Sequence, residues 1–239
     1  MSVPAIILVN TQMPENIGAT ARAMRNFGLS ELYLVAPREP FPNKRASDLA
    51  AHAADILDNA KVFSTTREAV AQFSRIYAAT ARNREMVKPI YTPLQAAGVL
   101  LEENQKAAIL FGPERTGLSN EDTHIADAII TIPTAPEMAS LNIAQSVVVV
   151  AYQWFQISLQ TPETAADRLN NKSALATKEE LQNLFDHLER RLDSSDFWKV
   201  PEKKEKMWTN LKNIFTRNSL TEQEVRSLHG MIAALQEGK

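Results

Sequence analysis

Over the first 160 residues, short unbroken apolar runs alternate with stretches in which apolar residues recur every three or four positions. Ala5–Val9, Leu32–Val35, Lys61–Phe63, Arg75–Ala79, Ala107–Phe111 and residues 128–132 read as strands. Apolar runs without polar alternation suit strands covered on both faces. Strands alternating with helices predict an α/β layer structure with a mostly parallel sheet. A first helix is expected over residues 14–27, with Ile17, Ala21 and Met24 on one face and Gly28 as its C-terminal stop. Further helices are expected over 46–57 and 67–72, and a long closing helix over 141–159 with Ser140 as its N-cap. That last helix is apolar around its whole circumference at Val147, Val148, Val149, Val150, Tyr152, Trp154 and Phe155. A helix apolar all round should be buried, which predicts a homodimer with this helix at its centre.

The pattern changes after residue 160. Thr161-Pro162 and Asn170-Asn171 are breakers without a packing period, and residues 161–175 read as a linker. Beyond it every period is helical. Thr177 and Glu180 form a capping box, as do Thr221 and Glu224. The first box opens a helix with Leu181, Leu184, Phe185, Leu188 and Leu192 on one face, and the second opens one with Val225, Leu228, Ile232 and Leu235. A helix between them spans residues 203–215. The expected organisation is a domain over 1–160, the linker, and a small helical bundle over 176–239.

Composition narrows the function. The 239 residues carry a net charge of -2, with 44% hydrophobic and 23% charged side chains, so the chain is globular and has no overall basic bias toward nucleic acid. A local basic patch remains open. The cysteine count is zero, which excludes disulfides and thiolate metal sites. His52, His124, His187 and His229 are scattered without helical ligand spacing, so no metal is expected. No apolar run approaches the ~20 residues of a membrane span, and residues 5–9 make too short a core for a signal peptide. The expected compartment is the cytoplasm.

Three segments carry candidate chemistry. Asn16-Ile-Gly18-Ala-Thr-Ala-Arg22 opens the first helix, where Gly18 permits close approach of a backbone or ligand. Phe111-Gly112-Pro113-Glu114-Arg115-Thr116-Gly117-Leu118 follows a buried strand, and open α/β sheets bind ligands outside the carboxyl ends of their strands. It is neither a Walker A loop nor a dinucleotide fingerprint. Ile132-Pro133 followed by Ser140-Leu141-Asn142 leads into the closing helix. A further loop, Ala79-Thr80-Ala81-Arg82-Asn83-Arg84, offers two arginines suited to phosphate. Each segment alone also reads as an ordinary cap, turn or exposed basic loop.

Together and in this order, the three segments resemble the motifs of the SPOUT (TrmH-like) superfamily of RNA 2'-O-ribose methyltransferases. Asn16, Gly18 and Arg22 match the first motif, Gly112, Glu114, Gly117 and Leu118 the second, and Ile132, Pro133, Ser140, Leu141 and Asn142 the third. The short lead before Asn16, the Arg82–Arg84 loop and the helical tail are similar to the bacterial TrmJ family within it. His229 stands where that family usually has Arg, and residues 203–212 are rich in Lys where relatives favour Arg.

The resemblance implies an α/β SPOUT fold with a deep C-terminal trefoil knot, plus a small α-helical domain. It implies S-adenosylmethionine as cofactor, held by Ala79, Thr80, Ala81, Gly112, Ile132, Ala139, Ser140 and Leu141. Arg22, Asn16, Glu114, Ser140 and Asn142 are the implied catalytic set. Arg82, Arg84, Arg115, Lys204 and Arg217 are the implied RNA contacts. The implied substrate is the ribose of nucleotide 32 in the tRNA anticodon loop, and the implied assembly is a homodimer. Alternatives are a ribosomal RNA or other-position tRNA methyltransferase of the same superfamily, or a non-catalytic RNA-binding module.

Overall fold

The computed structural model describes all residues except 1–2, 82–87, 104, 114, 139, 161–173, 196 and 238–239. The chain divides into two compact units, Met1–Thr164 and Ala165–Lys239. All but Ala174 and Leu175 of the expected linker lies outside the described residues.

The first unit is built on a seven-stranded sheet. Its strands are β1 (Ala5–Val9), β2 (Leu32–Val35), β3 (Lys61–Phe63), β4 (Arg75–Ala79), β5 (Ile90–Tyr91), β6 (Ala107–Phe111) and β7 (Ala128–Ile130). They lie in the order β3-β2-β1-β6-β4-β7-β5, and every pairing is parallel. Side chains alternate across the sheet, so each strand feeds two cores. Ile6 and Leu8 of β1 face the layer holding α1 (Pro14–Asn26), α5 (Pro93–Glu103) and α7 (Ile143–Gln160). Ala5, Ile7 and Val9 face the opposite core with Val70, Phe73 and Leu118. Burial on both faces explains why these strands are continuous apolar runs.

Several elements differ from expectation. The helix expected over 46–57 is α2 (Lys44–Ala50), a 3-10 turn at Ala51–Ala53 and α3 (Ala54–Asp58), because Ala51 takes φ 50° and breaks the ladder. The short helix expected over 67–72 is α4 (Thr66–Val70). The last strand ends at Ile130 instead of residue 132, although Thr131 N–H still donates to Tyr91 O at 2.9 Å. Strand β5, helix α5 and α6 (Asn120–Ile125) have no counterpart in the pattern reading. Gly18 answers the choice between backbone and ligand: a Cβ there would stand 2.0 Å from Ala46 O, so its hydrogen lets α1 and α2 touch.

The second unit holds α8 (Lys178–Asp193), α9 (Lys204–Arg217) and α10 (Glu222–Glu237). Thr177 and Thr221 cap their helices as expected, each threonine hydroxyl accepting from the glutamate N–H three residues on while that glutamate accepts from the threonine N–H. Leu181, Leu184, Phe185, Trp208, Val225 and Ile232 form a separate core. Leu235, expected on the apolar face, is exposed in the last turn. The chain enters this unit by pairing with the α9–α10 turn: Ala176 N–H donates to Leu220 O at 2.9 Å, Glu222 N–H donates to Ala174 O at 2.9 Å, and Leu175 bridges Thr221. No helix among the described residues is long and apolar enough to cross a membrane.

Candidate active site

The carboxyl ends of β4, β6 and β7 converge on a cleft of about 380 Å³. Its rim comes from three loops. After β4, Ala79, Thr80 and Ala81 line it, and Thr80 N–H is pinned to Ile130 O at 3.0 Å. After β6 come Gly112, Pro113, Arg115 and Gly117. After β7 come Ile132, Thr134, Ser140 and Leu141, and Ile143 and Ser146 of α7 close the wall. Every described residue expected to hold the cofactor, namely Ala79, Thr80, Ala81, Gly112, Ile132, Ser140 and Leu141, therefore lines one cleft. Ala139 lies outside the described residues. Thr134 and Ser146 add hydroxyls that the motif reading missed, because no motif marks where the loop after β7 travels.

The β6 loop is shaped by its own backbone. Gly117 takes φ +65° and donates to Pro113 O at 2.7 Å, folding the loop back on its start. A Cβ on Gly112 would then stand 2.3 Å from Leu118 N and 2.5 Å from Gly117 C. Gly112 is thus required by the protein's own fold, not only by a flat ligand.

The start of α7 corrects a second expectation. The helix is capped by Asn142, not Ser140. Asn142 Oδ1 accepts from Ala144 N–H at 2.8 Å, and Gln145 Oε1 accepts from Asn142 N–H at 3.3 Å, a capping box with amide side chains. Ser140 is left in the loop, where it lines the cleft. The remaining Asn142 donor, Nδ2, reaches Asn16 Oδ1 at 3.1 Å. One carboxamide therefore ends the third motif, starts α7 and ties it to the first motif on α1. Arg22 stands farther along α1, exposed, its side chain with no hydrogen bond or ion pair among the described residues. Arg25, one turn later, is held by Asp55. Glu114, Arg82 and Arg84 lie outside the described residues.

Helix α7 is not buried all round within the chain. Val148, Tyr152 and Leu159 are 41%, 45% and 67% exposed, and their spacing puts them on one face. Phe27 of the α1 end packs edge-on against Tyr152 at 5.8 Å and beside Phe155 at 6.2 Å, extending the apolar face.

In the second unit the two expected RNA contacts separate. Arg217 is exposed, and among the described residues its side chain bonds Asn213 O alone, at 3.3 Å. Lys204 is engaged by Asp193 at 2.6 Å and Glu189 at 3.6 Å, over the Trp198 ring. Two of the histidines read as scattered meet here: His187 Nδ1 and His229 Nδ1 are 2.9 Å apart. Their ring centroids are 5.1 Å apart at 18°. That separation exceeds the Nδ1–Nδ1 distance by about two ring radii, so the rings meet edge to edge, one donating to the other. Helical spacing could not reveal this pair, because it joins α8 to α10.

Comparison with known proteins agrees with this arrangement. Residues 4–152 match the SpoU rRNA Methylase family model, and residues 179–239 match the tRNA methyltransferase TrmJ, C-terminal domain. The chain is 36% identical to the tRNA (cytidine/uridine/adenosine-2'-O-)-methyltransferase TrmJ of Pseudomonas aeruginosa strain UCBPP-PA14, covering 97% of this chain and 93% of that one. The crystal structure of TrmJ from Z. mobilis ZM4 superposes with a TM-score of 0.87 at 41% identity, over 98% of this chain and 100% of that chain. The SpoU methyltransferase AviRb of Streptomyces viridochromogenes, solved with AdoMet, shares the fold at 18% identity and a TM-score of 0.54, over 67% of this chain and 62% of that one. With the catalytic-unit and tail models matched in order along its length, and relatives above 30% identity end to end, the chain belongs to the TrmJ family of tRNA 2'-O-methyltransferases.

Proposed function

We propose that the protein transfers the methyl group of S-adenosylmethionine to the ribose 2'-oxygen of nucleotide 32 in the tRNA anticodon loop. The observation that carries this is the convergence of Ala79–Ala81, Gly112, Ile132, Ser140 and Leu141 on one cleft, tied through Asn142 and Asn16 to the helix bearing Arg22. The cleft suits the cofactor's mixed chemistry. Ile130, Ile132, Leu141 and Ile143 offer apolar surface for a flat ring, and Thr134, Ser140 and Ser146 offer hydroxyls for polar ends. When bound, the cofactor supplies a methyl group activated by an adjacent sulfonium. The same reading threads the segment from β6 to α7 through a trefoil knot, supported by β6 lying between β1 and β4 and by three loops meeting at one cleft.

The chain's own contribution is to place and polarise the nucleophile. A ribose hydroxyl is weakly acidic, and Arg22 is a poor proton acceptor because its pKa is roughly 12.5–13.8. Arg22 instead orients the hydroxyl and stabilises the developing alkoxide charge. Its lack of a protein partner leaves the guanidinium available for this. Asn16 and Asn142 hold α1 in register with the cleft, and Glu114 and Ser140 complete the catalytic set. Arg82, Arg84, Arg115 and Arg217 contact the RNA; Lys204 serves first as a brace within the tail.

The exposed Val148, Tyr152 and Leu159 face, with Phe27 beside it, is covered by a second copy of the chain, so Arg22 works in a site completed by its partner. The working compartment is the cytoplasm, where tRNA matures. The test is methylation of a tRNA transcript by purified protein with S-adenosylmethionine, mapped by ribose-methylation sequencing. Arg22→Ala is expected to lose more than tenfold in rate, about 1.4 kcal/mol in barrier, with donor affinity unchanged. Modification elsewhere than nucleotide 32, or retained turnover in Arg22→Ala, would contradict this reading.

A further inference from the structure

A second cavity, of about 340 Å³, lies on the other side of the β6 loop. It shares Pro113 and Gly117 with the donor cleft, and Asn10, Thr116, Asn120 and Asp122 also line it. Its place in the sheet is distinctive. From β1 the chain winds outward to β2 and β3, then returns to the other side, where β6 takes the position beside β1. The register Leu8↔Phe111 brings Asn10 and Pro113 level, two residues beyond the paired positions. The cavity therefore sits outside the carboxyl ends of β1 and β6, where the winding reverses. Open α/β sheets bind ligands at that point, yet the donor cleft lies elsewhere, at β4, β6 and β7.

We propose that this cavity receives the base of the target nucleotide, with Asn10 as the residue that pairs with it. The inference rests on the tRNA ribose methylation proposed above. The lining chooses a base over a phosphate. Among the described residues no cation lines the cavity, and it contains the Asp122 carboxylate. Both Asp122 oxygens are already taken, one accepting from Thr66 Oγ1 at 2.6 Å and the other from Ser119 Oγ at 2.6 Å and Ser119 N–H at 2.9 Å. Asn10 and Thr116 are different. Both are exposed, and among the described residues neither side chain makes a hydrogen bond. Only the Asn10 backbone is committed, donating to Val35 O at 2.8 Å and accepting from Gln12 Nε2 at 2.8 Å. A carboxamide presents one donor and one acceptor side by side and can turn over. It therefore matches the adjacent donor and acceptor of cytosine, and the reversed pair of uracil. The two cavities share Pro113 and Gly117 in their linings, so a nucleotide whose base enters here brings its ribose to the rim of the donor cleft.

Asn10 also has a φ of 50°, which asparagine tolerates better than most residues. The test must separate that role from base contact. Asn10→Gly keeps the backbone angle free of strain and removes the carboxamide. Full-length wild type and Asn10→Gly are titrated, at one salt concentration, with two transcripts: an intact tRNA and one abasic at the target nucleotide. The variant is expected to bind the intact tRNA about tenfold more weakly, the scale of one or two hydrogen bonds. On the abasic tRNA the two proteins should bind alike, and their affinities for S-adenosylmethionine should match. An equal loss on both transcripts, no loss on either, or a fall in donor affinity would overturn the assignment. Wild-type protein that binds tRNA but does not methylate it would instead remove the underlying reading, and the subsite with it.

Discussion

Replacing Asn142 separates two jobs done by one side chain. Its Oδ1 caps α7 by accepting from Ala144 and Gln145, and its Nδ2 bridges to Asn16 on α1. Asn142→Ala removes both. An N-cap loss costs about 1 kcal/mol, and a neutral side-chain hydrogen bond contributes about 1 kcal/mol more. The sum is about 2 kcal/mol, which in a unit of this size lowers Tm by about 4–8 °C. Asn142→Ser keeps a good cap but is too short to reach Asn16, so it should lose about half as much. Scanning calorimetry of the catalytic unit's transition measures both. A double-mutant cycle with Asn16→Ala then isolates the bridge, with an expected coupling of about 0.5–1.5 kcal/mol. Activity should follow the bridge and not the cap, because only the bridge sets α1, and hence Arg22, against the cleft. Asn142→Ser and Asn142→Ala should therefore lose rate to similar extents despite different Tm values. Equal Tm values for the two variants would show that the cap contributes nothing to stability, and full activity in Asn142→Ser would show that the bridge does not set Arg22 against the cleft.

Gly112→Ala should abolish donor binding, measured by calorimetric titration, because the new methyl meets Leu118 N at 2.3 Å and must displace the β6 loop; near wild-type affinity would show that the loop yields at no cost to the cleft. Burial first, then His229, Arg191 and Arg190, hold the His187 pKa below its ordinary value. The unfolded chain then binds more protons than the folded one near pH 6.5 and below, so the tail is most stable above about pH 6.5 and loses stability as pH falls toward the lower folded pKa. Thermal unfolding at pH 7.5 and 5.5 should show that loss in wild type and a smaller one in His187→Gln, whereas equal losses would exclude the pair as the cause. Ending the chain after Leu159 should leave a folded, donor-binding dimer by light scattering, with weaker tRNA affinity and a shallower salt dependence; unchanged affinity and slope would give the tail another role.

Legibility followed length and local chemistry. Strands β1, β2 and β6 show as uninterrupted apolar runs because both faces of the sheet are covered, and the threonine caps of α8 and α10 show because a capping box is local. Helix α5 escaped notice although Thr92 and Gln95 form the same reciprocal cap, with Thr92 N–H donating to Gln95 Oε1 at 2.9 Å. Gly98 in its middle weakens the helical pattern. The Asn142–Gln145 box was missed in the same way, since glutamine and asparagine replaced the expected serine and glutamate. In the site, Ala79, Thr80, Ala81, Gly112, Ile132, Ser140 and Leu141 line one cleft, whereas Arg22 is not part of its lining and Glu114 lies outside the described residues. Thr134, Ser146 and Asn10 were not marked, because their place depends on loop paths and strand order that no local pattern carries. The edge-to-edge contact of His187 and His229 is likewise a product of tertiary packing.

The pairing at the tail's entrance has a mechanical consequence. Ala174 and Ala176 are hydrogen-bonded to Glu222 and Leu220, so the chain enters the bundle at the turn where α9 gives way to α10. Tension applied at residue 174 is thus shared between the start of α8 and the start of α10 through backbone bonds, and does not peel α8 away alone. The first and last helices of the tail answer a pull as one rigid part. A fragment or graft that begins at Lys178 would cut this clasp and leave α10 to be held by side chains only.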